Sequence, residues 1–385
     1  MTARRLFLLT VVSVWWQAGC APGCTGPGGT PDAGTGDAGV LFDSGVPDAG
    51  GPDAGPGDAG AVARLPLDFL LYSGASAPVA DPCGGVGPDF NIGVMRHDGK
   101  VHGLFDAGVN GPGDELWPRL SPDRRRFVFY RSPIGKSSEL CRYDVQELWL
   151  ANVDGTGVRR IFSNDDKKAV AMAHGWPTTS AYQGHADWSP DNRHVVMFMG
   201  YNPLLQAIGE GELFVLDVDT LELRQLTLRV NDAGFGQTGD CSFTADGGHV
   251  VFFGCPDEVP AGCAQPQLRS VPADSVKATH TSLVYDGGGN DAYVSPDGTQ
   301  VMWMEPALFV FWQIHVAPFS PGTVIQPGQR RTVEPLGGGY GNWLPDGGGI
   351  IFNNQHSLYL NRLDGSASVK ISPEGTTETF RDPSP

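Results

Sequence analysis

Hydrophobic and polar positions divide this 385-residue chain into three parts. Leu6–Trp16 is an apolar run interrupted only by Thr10 and Ser13, and residues 21–62 then carry almost no apolar bulk. From residue 66 onward, short runs rich in β-branched and aromatic residues recur between Gly, Pro and Asp clusters, the pattern of strands and tight turns.

The third part is repetitive. Leu120-Ser121-Pro122-Asp123 precedes Phe127–Tyr130, and Trp188-Ser189-Pro190-Asp191 precedes His194–Phe198. Phe243-Thr244-Ala245-Asp246 precedes Val250–Phe253, Val294-Ser295-Pro296-Asp297 precedes Val301–Met304, and Trp343-Leu344-Pro345-Asp346 precedes Ile350–Phe352. The five Asp residues are 68, 55, 51 and 49 positions apart. Proline presets φ for a tight turn and Asp bonds back to the turn backbone, so each copy reads as a hairpin. A second strand pair follows in most copies: Glu147–Val153 with Val158–Phe162, Glu212–Val218 with Glu222–Thr227, and Ser357–Leu363 with Ala367–Ile371. Four short strands in a repeat of this length make one blade of a β-propeller.

The ends of this region fix the count. Residues 66–105 hold strands at Asp68–Tyr72, Asn91–Arg96 and Val101–Phe105, a blade without its first strand. The terminal Thr379–Pro385 reads as the missing strand, which would complete that blade and close the ring. The expectation is an all-β, six-bladed propeller of four-stranded antiparallel blades over residues 63–385. The repeated Trp-Ser-Pro-Asp turn followed by an apolar strand resembles the TolB-like (WD40-like) β-propeller repeat family. That resemblance implies a structural turn role for Asp123, Asp191, Asp246, Asp297 and Asp346. The family's founding member has an α/β domain ahead of its propeller; here a polar segment stands in that place, so a shared envelope machinery is not implied.

The N-terminal part predicts export. Arg4 and Arg5 precede an apolar run too short to span a bilayer but suited to a signal peptide. Gln17-Ala18-Gly19-Cys20 resembles the lipobox of bacterial lipoproteins, which implies lipid attachment at Cys20 and a membrane partner through that lipid. Gln17 departs from the usual aliphatic residue, and the simpler reading is an ordinary secretory signal. Residues 21–62 repeat Pro-Asp-Ala-Gly or Gly-Asp-Ala-Gly, with six Asp and no Lys or Arg. They form a disordered tether by composition. The expected location is the outer membrane or surface of a bacterial cell envelope.

Charge narrows the partners. The chain carries −17, of which the first twenty residues contribute +2 and the linker −6, leaving −13 on residues 61–385. An acidic domain without basic clusters does not track a phosphate backbone, which argues against nucleic acid. Of seven cysteines, Cys255 and Cys263 would staple one hairpin and Cys83 and Cys141 would join neighbouring loops; spacing alone leaves this pairing open. Cys241 reads as a buried free thiol.

Two places suit a site. Long connections at 73–90, 132–145, 163–184, 200–211, 228–239 and 254–264 all leave one face of an up-and-down propeller. That face is the expected surface for a protein, peptide or glycan partner. The stretch 165–182 is expected to be an exposed loop on it, whose Trp176 and Tyr182 either anchor a partner or pack the loop onto the blade below. The second place is the channel mouth, where Trp117, Arg119, His185, Asp187, Asp240, Asp291, Tyr340, Asn342 and Asp382 precede the turn motifs. The simpler reading is a wet channel lining. The sharper one is a hard cation such as calcium on converging oxygens, the only cofactor the residues suggest. No G-x-S-x-G elbow or H-E-x-x-H is present, so a non-catalytic binding module is expected; the alternative is a metal-dependent propeller hydrolase or lyase.

Overall fold

The structure, a computed structural model, describes residues 63–75, 90–106, 108–111, 113–132, 146–178, 181–184, 186–201, 210–228, 241–255, 266–306, 312–334, 339–354, 356–374 and 378–385. Six antiparallel sheets surround a central channel, and each innermost strand touches those of the blades on either side. From the channel outward, blade 1 is Thr379–Ser384, Phe69–Ala75, Phe90–Arg96 and His102–Leu104. Blade 2 is Asp114–Leu120, Arg126–Ser132, Glu147–Asn152 and Arg159–Phe162. Blade 3 begins with a broken strand, Ala181–Gln183 and Asp187–Trp188, followed by His194–Tyr201, Glu210–Asp217 and Leu223–Gln225. Blade 4 is Ser242–Phe243, His249–Gly254, Gln267–Pro272 and Ser282–Tyr285. Blade 5 is Asn290–Val294, Gln300–Pro306, Trp312–Pro318 and Arg331–Glu334. Blade 6 is Gly339–Trp343, Ile350–Asn354, Ser357–Asn361 and Val369–Lys370.

The continuous apolar runs have a geometric cause. A blade is packed on both faces, so successive side chains of its second strand enter two different interfaces. Val195 and Met197 pack with Val128 and Leu148 of blade 2, whereas Val196 and Phe198 pack with Val250 and Phe252 of blade 4. Val251 and Phe253 turn instead towards Val301 and Trp303 of blade 5. Met302 and Met304 in turn meet Ile350 and Phe352 of blade 6.

The C-terminal strand closes the ring. It pairs antiparallel with Phe69–Ala75, setting Thr379 opposite Ala75 and Ser384 opposite Leu71. Phe380 is buried among Leu70, Tyr72, Met95, Leu344 and Ile351, its ring 5.1 Å from that of Tyr72. Ser384 also reaches the next blade, where its hydroxyl accepts the Leu120 amide at 2.8 Å.

The turns between first and second strands share one device. Ser121, Thr244 and Ser295 donate their hydroxyls to Asp123, Asp246 and Asp297 at 2.7, 2.6 and 2.6 Å. Asp191 accepts the Arg193 and His194 amides, and Asp346 accepts the Gly348 amide. Hydroxyl and amide donors stabilise the charged carboxylate, which holds Asp246 and Asp297 below the usual carboxylate range.

Strand direction assigns the connections to faces. First-to-second and third-to-fourth turns leave one face, and second-to-third and blade-to-blade connections leave the other. The ends facing residues 76–89, 133–145, 202–209 and 256–265 are all on the second face. One described connection there corrects an expectation. Residues 164–174 form an α-helix rather than an exposed loop, with a Ser163–Asp166 capping box and Gly175 as its left-handed cap at φ 71°. Trp176 folds back onto it, stacked on His174 at 4.3 Å, and packs partly buried on the interface between blades 2 and 3. Among the described residues no helix is long and apolar enough to cross a membrane.

Candidate functional site: the channel and its long-loop mouth

Each innermost strand begins at the long-loop face, and in blades 2 to 6 it leads into a tight turn; in four blades the described strand is interrupted at the same place. The register shifts between Leu116 and Arg119, between Asn290 and Tyr293, between Gly339 and Gly341, and between Arg381 and Ser384. At each shift one non-glycine residue takes the left-handed region: Trp117 at φ 49°, Asp291 at 47°, Tyr340 at 23° and Asp382 at 51°. Such backbone is disfavoured for side-chain-bearing residues, and its repetition marks a β-bulge that re-aims the strand. Trp117, Asp291 and Tyr340 each lie six residues before their turn Asp. His185 and Asp240 hold the same offset but lie outside the described residues.

The bulge residues do not share one role. Trp117 is buried in the apolar interface beside Tyr130, the rings meeting edge to face at 5.9 Å. Tyr340 is half-buried, with the Arg381 guanidinium 5.6 Å above its ring. Asp291 and Asp382 are both buried carboxylates.

Two residues deeper, the channel is bridged. Arg119 of blade 2 donates from Nη2 to the Tyr293 hydroxyl of blade 5 at 2.5 Å, and its guanidinium lies 5.1 Å from the Tyr293 ring centroid. In a ring of six, blades 2 and 5 stand opposite each other, so this contact crosses the axis. Both residues are buried, at 4% and 3% exposure. Arg119 is one of the residues expected at the channel mouth, whereas Tyr293 is not among them. A usable signal was there, since each lies four residues before its turn Asp. The other polar residues at that offset lie differently. Asn342 turns its side-chain oxygen onto the Trp343 amide at 2.8 Å, and Asp187 is half-buried opposite Val196. The recurring indoles tie neighbouring blades: Trp188 Nε1 donates to the Arg119 carbonyl and Trp343 Nε1 to the Tyr293 carbonyl, at 2.8 and 2.9 Å.

Polar anchors brace the long-loop rim. Arg131 donates from Nε to Glu115 at 2.7 Å and from Nη2 to the Val109 carbonyl, with its guanidinium 4.3 Å from the Trp149 ring centroid. Burial pushes the Glu115 carboxyl up to about 8, outweighing the opposing pull of Arg131. Between blades 4 and 5, Glu305 accepts from Trp303 Nε1 at 2.9 Å and from Arg330 at 2.6 Å. Of the cysteines, Cys241 is a buried free thiol and Cys255 is disulfide-bonded. Cys20, Cys24, Cys83, Cys141 and Cys263 lie outside the described residues.

The comparisons agree with this architecture. TolB from Acinetobacter baumannii superposes with a TM-score of 0.56 at 13% identity, covering 83% of this chain and 66% of that one. In fold, the chain is a six-bladed propeller like that of TolB. Hydrazine synthase from Kuenenia stuttgartiensis superposes with a TM-score of 0.53 at 12% identity, over 84% of this chain and 47% of that one. A prolyl endopeptidase reaches a TM-score of only 0.43 at 12% identity, over 78% and 42% of the two chains. This chain therefore spans just under two thirds of the TolB and about half or less of the other two. No protein-family model matches the chain, and no curated protein matches its sequence.

Proposed function

We propose that this protein is an exported, lipid-anchored component of a bacterial cell envelope. Its propeller serves as a non-catalytic scaffold that recognises a protein, peptide or glycan on the long-loop face. In this reading residues 1–20 are the export signal ending at Cys20, residues 21–62 are the tether, and residues 63–385 are the binding domain.

The Arg119–Tyr293 bridge supports it best. A propeller that acts on a substrate within its channel needs an open path to the centre, and here a buried cross-axis contact occupies that centre. Most of the long connections leave one rim of a rigid set of blades, where binding surfaces are usually built, although residues 273–281 and 319–330 form connections of nine and twelve residues on the other face. Rim pairs such as Glu115–Arg131 brace that scaffold.

The test is a comparison of variants. Immobilised protein is incubated with solubilised envelope fractions, using versions with residues 202–209 or 256–265 shortened and versions altered at exposed tight-turn positions such as Asp154. The reading requires a retained partner that loop shortening abolishes and the turn changes leave alone. Retention that ignores loop shortening would refute it. Lipidation is checked separately by metabolic labelling with an alkyne fatty acid, where Cys20→Ala must abolish incorporation.

A further inference from the structure

The Asp-Ala-Gly repeats of residues 21–62 are broken at one place by apolar bulk. Val40-Leu41-Phe42 is the only run of large apolar side chains in that stretch. Three adjacent apolar side chains in a polar segment are stabilised by any apolar surface they can cover.

The propeller exposes such surface where this segment enters it. Leu65 is buried between blades 1 and 2, its amide bonded to the Arg124 carbonyl and its carbonyl to Arg124 Nε, both at 2.9 Å. The chain therefore arrives beside blade 1. Seven large apolar side chains are exposed among the described residues. Three of them, Leu67, Leu104 and Val369 at 61%, 52% and 61%, lie on the segment leading into blade 1, its outermost strand and the outermost strand of blade 6. The other four stand singly, on the helix and on separate connections of blades 3, 4 and 5.

Leu104 and Val369 stand on faces that meet. Leu104 is opposite Gly93, which is opposite Tyr72; Val369 is opposite Leu360, which is opposite Ile351. Directly opposed residues share one face of a sheet. Tyr72 and Ile351 pack together in the core between blades 6 and 1. Both exposed side chains therefore belong to the outer rim of that junction, whose core Phe380 completes.

We infer that Val40-Leu41-Phe42 docks on this rim, with Leu104 and Val369 as its principal contacts. Reach permits it. The 20 residues from 43 to 62 span about 25 Å as a flexible chain. That holds the triplet beside blade 1 at an effective concentration of about millimolar. A segment affinity in the same range then keeps it docked about half of the time or more. The internal segment is always present at that concentration, which favours it over a second copy as the occupant. Docking leaves residues 21–39 as the free span between Cys20 and the propeller. The inference rests on the tether's sequence and the blade surface, and on neither lipid attachment nor the proposed partner.

The test places a photoreactive phenylalanine at Phe42 of the full-length protein, or at Ala54 as a control in the same tether. Dilute protein is irradiated and the crosslinked peptides are mapped by mass spectrometry. The Phe42 probe should join residues 93–105 or 357–371 of its own chain. Leu104→Asp combined with Val369→Asp should lower that yield at least about threefold, with the melting temperature kept because both positions are exposed. Should that variant not fold, Leu41→Asp in the tether supplies the same comparison. The Ala54 probe, nearer the propeller in sequence, should show no such preference. Crosslinks spread over unrelated blades, or a yield that these substitutions leave unchanged, overturn the proposal. So does the absence of an adduct within the chain, and so do adducts that grow with protein concentration, which would assign the rim to a second copy.

Discussion

Replacing Phe380 by Ala tests whether the last strand closes the ring. Phe380 is 1% exposed and packs against side chains from three strands of blade 1 and from blade 6. Truncating a phenylalanine buried to this degree costs about 3–5 kcal/mol, because the lost contacts leave a cavity that neighbours fill only partly. Its backbone amide, bonded to the His356 carbonyl at 3.0 Å, is unaffected, so the effect isolates packing. In urea, at an m-value of about 3 kcal/mol/M, the midpoint should fall by about 1 M or more. Phe129→Ala, equally buried in blade 2, supplies the reference. Both variants should unfold in one transition, since closure makes the blades depend on one another. A loss below about 1 kcal/mol for Phe380→Ala, beside a full loss for Phe129→Ala, would show that the last strand is frayed. The closed ring would then be wrong.

Three further outcomes follow from the same geometry. Tyr293→Phe removes the acceptor of a buried guanidinium and should lower stability by about 2 kcal/mol, read by chemical denaturation; a neutral change would mean that Arg119 finds another partner and the bridge is not structural. At Gly93 a methyl group would collide with the Tyr72 ring, so Gly93→Ala should cost about 1–3 kcal/mol. In a Tyr72→Ala background most of that cost should vanish, and an additive double mutant would refute the contact. Glu115 titrates higher in the folded protein, at about 8, than in the unfolded chain, at about 4.3. The folded state therefore binds the extra proton between those values, and its contribution is complete at the acid end and lost as pH rises towards 8. Melting temperatures of wild type minus Glu115→Gln should accordingly decline across that window, and a flat difference would contradict the assignment.

Much of this fold is legible in the sequence because its physics is local. A two-residue period with both faces buried produces unbroken apolar runs such as Phe127–Tyr130, and the Asp turn recurs between them. Closure was legible too, because Thr379–Ser384 supplies the strand that blade 1 lacks. The helix at Asn164–His174 was not foreseen, although Ser163, Asp166 and Gly175 are its caps. Its buried face is narrow, with Lys167 and Ala171 as the residues it encloses, so the helical period hardly registers. The candidate channel residues were found as a group, but their roles depend on distances across the ring. Arg119 and Tyr293 are 174 positions apart, and no local pattern pairs them. Nor does sequence alone reveal that Trp117 turns into an interface whereas Asp382 is left without a hydrogen-bonding partner.

The claim that one face of this propeller receives a partner is tested most directly by site-specific photocrosslinking in cells. A photoreactive residue is placed at Gln206 and at Glu258, in the connections of the long-loop face, and at Thr220 and Ser366 in turns of the opposite face. The account predicts a discrete higher-mass adduct from the first pair and none from the second. Adducts from the tight-turn positions, or from none of the four, would contradict it.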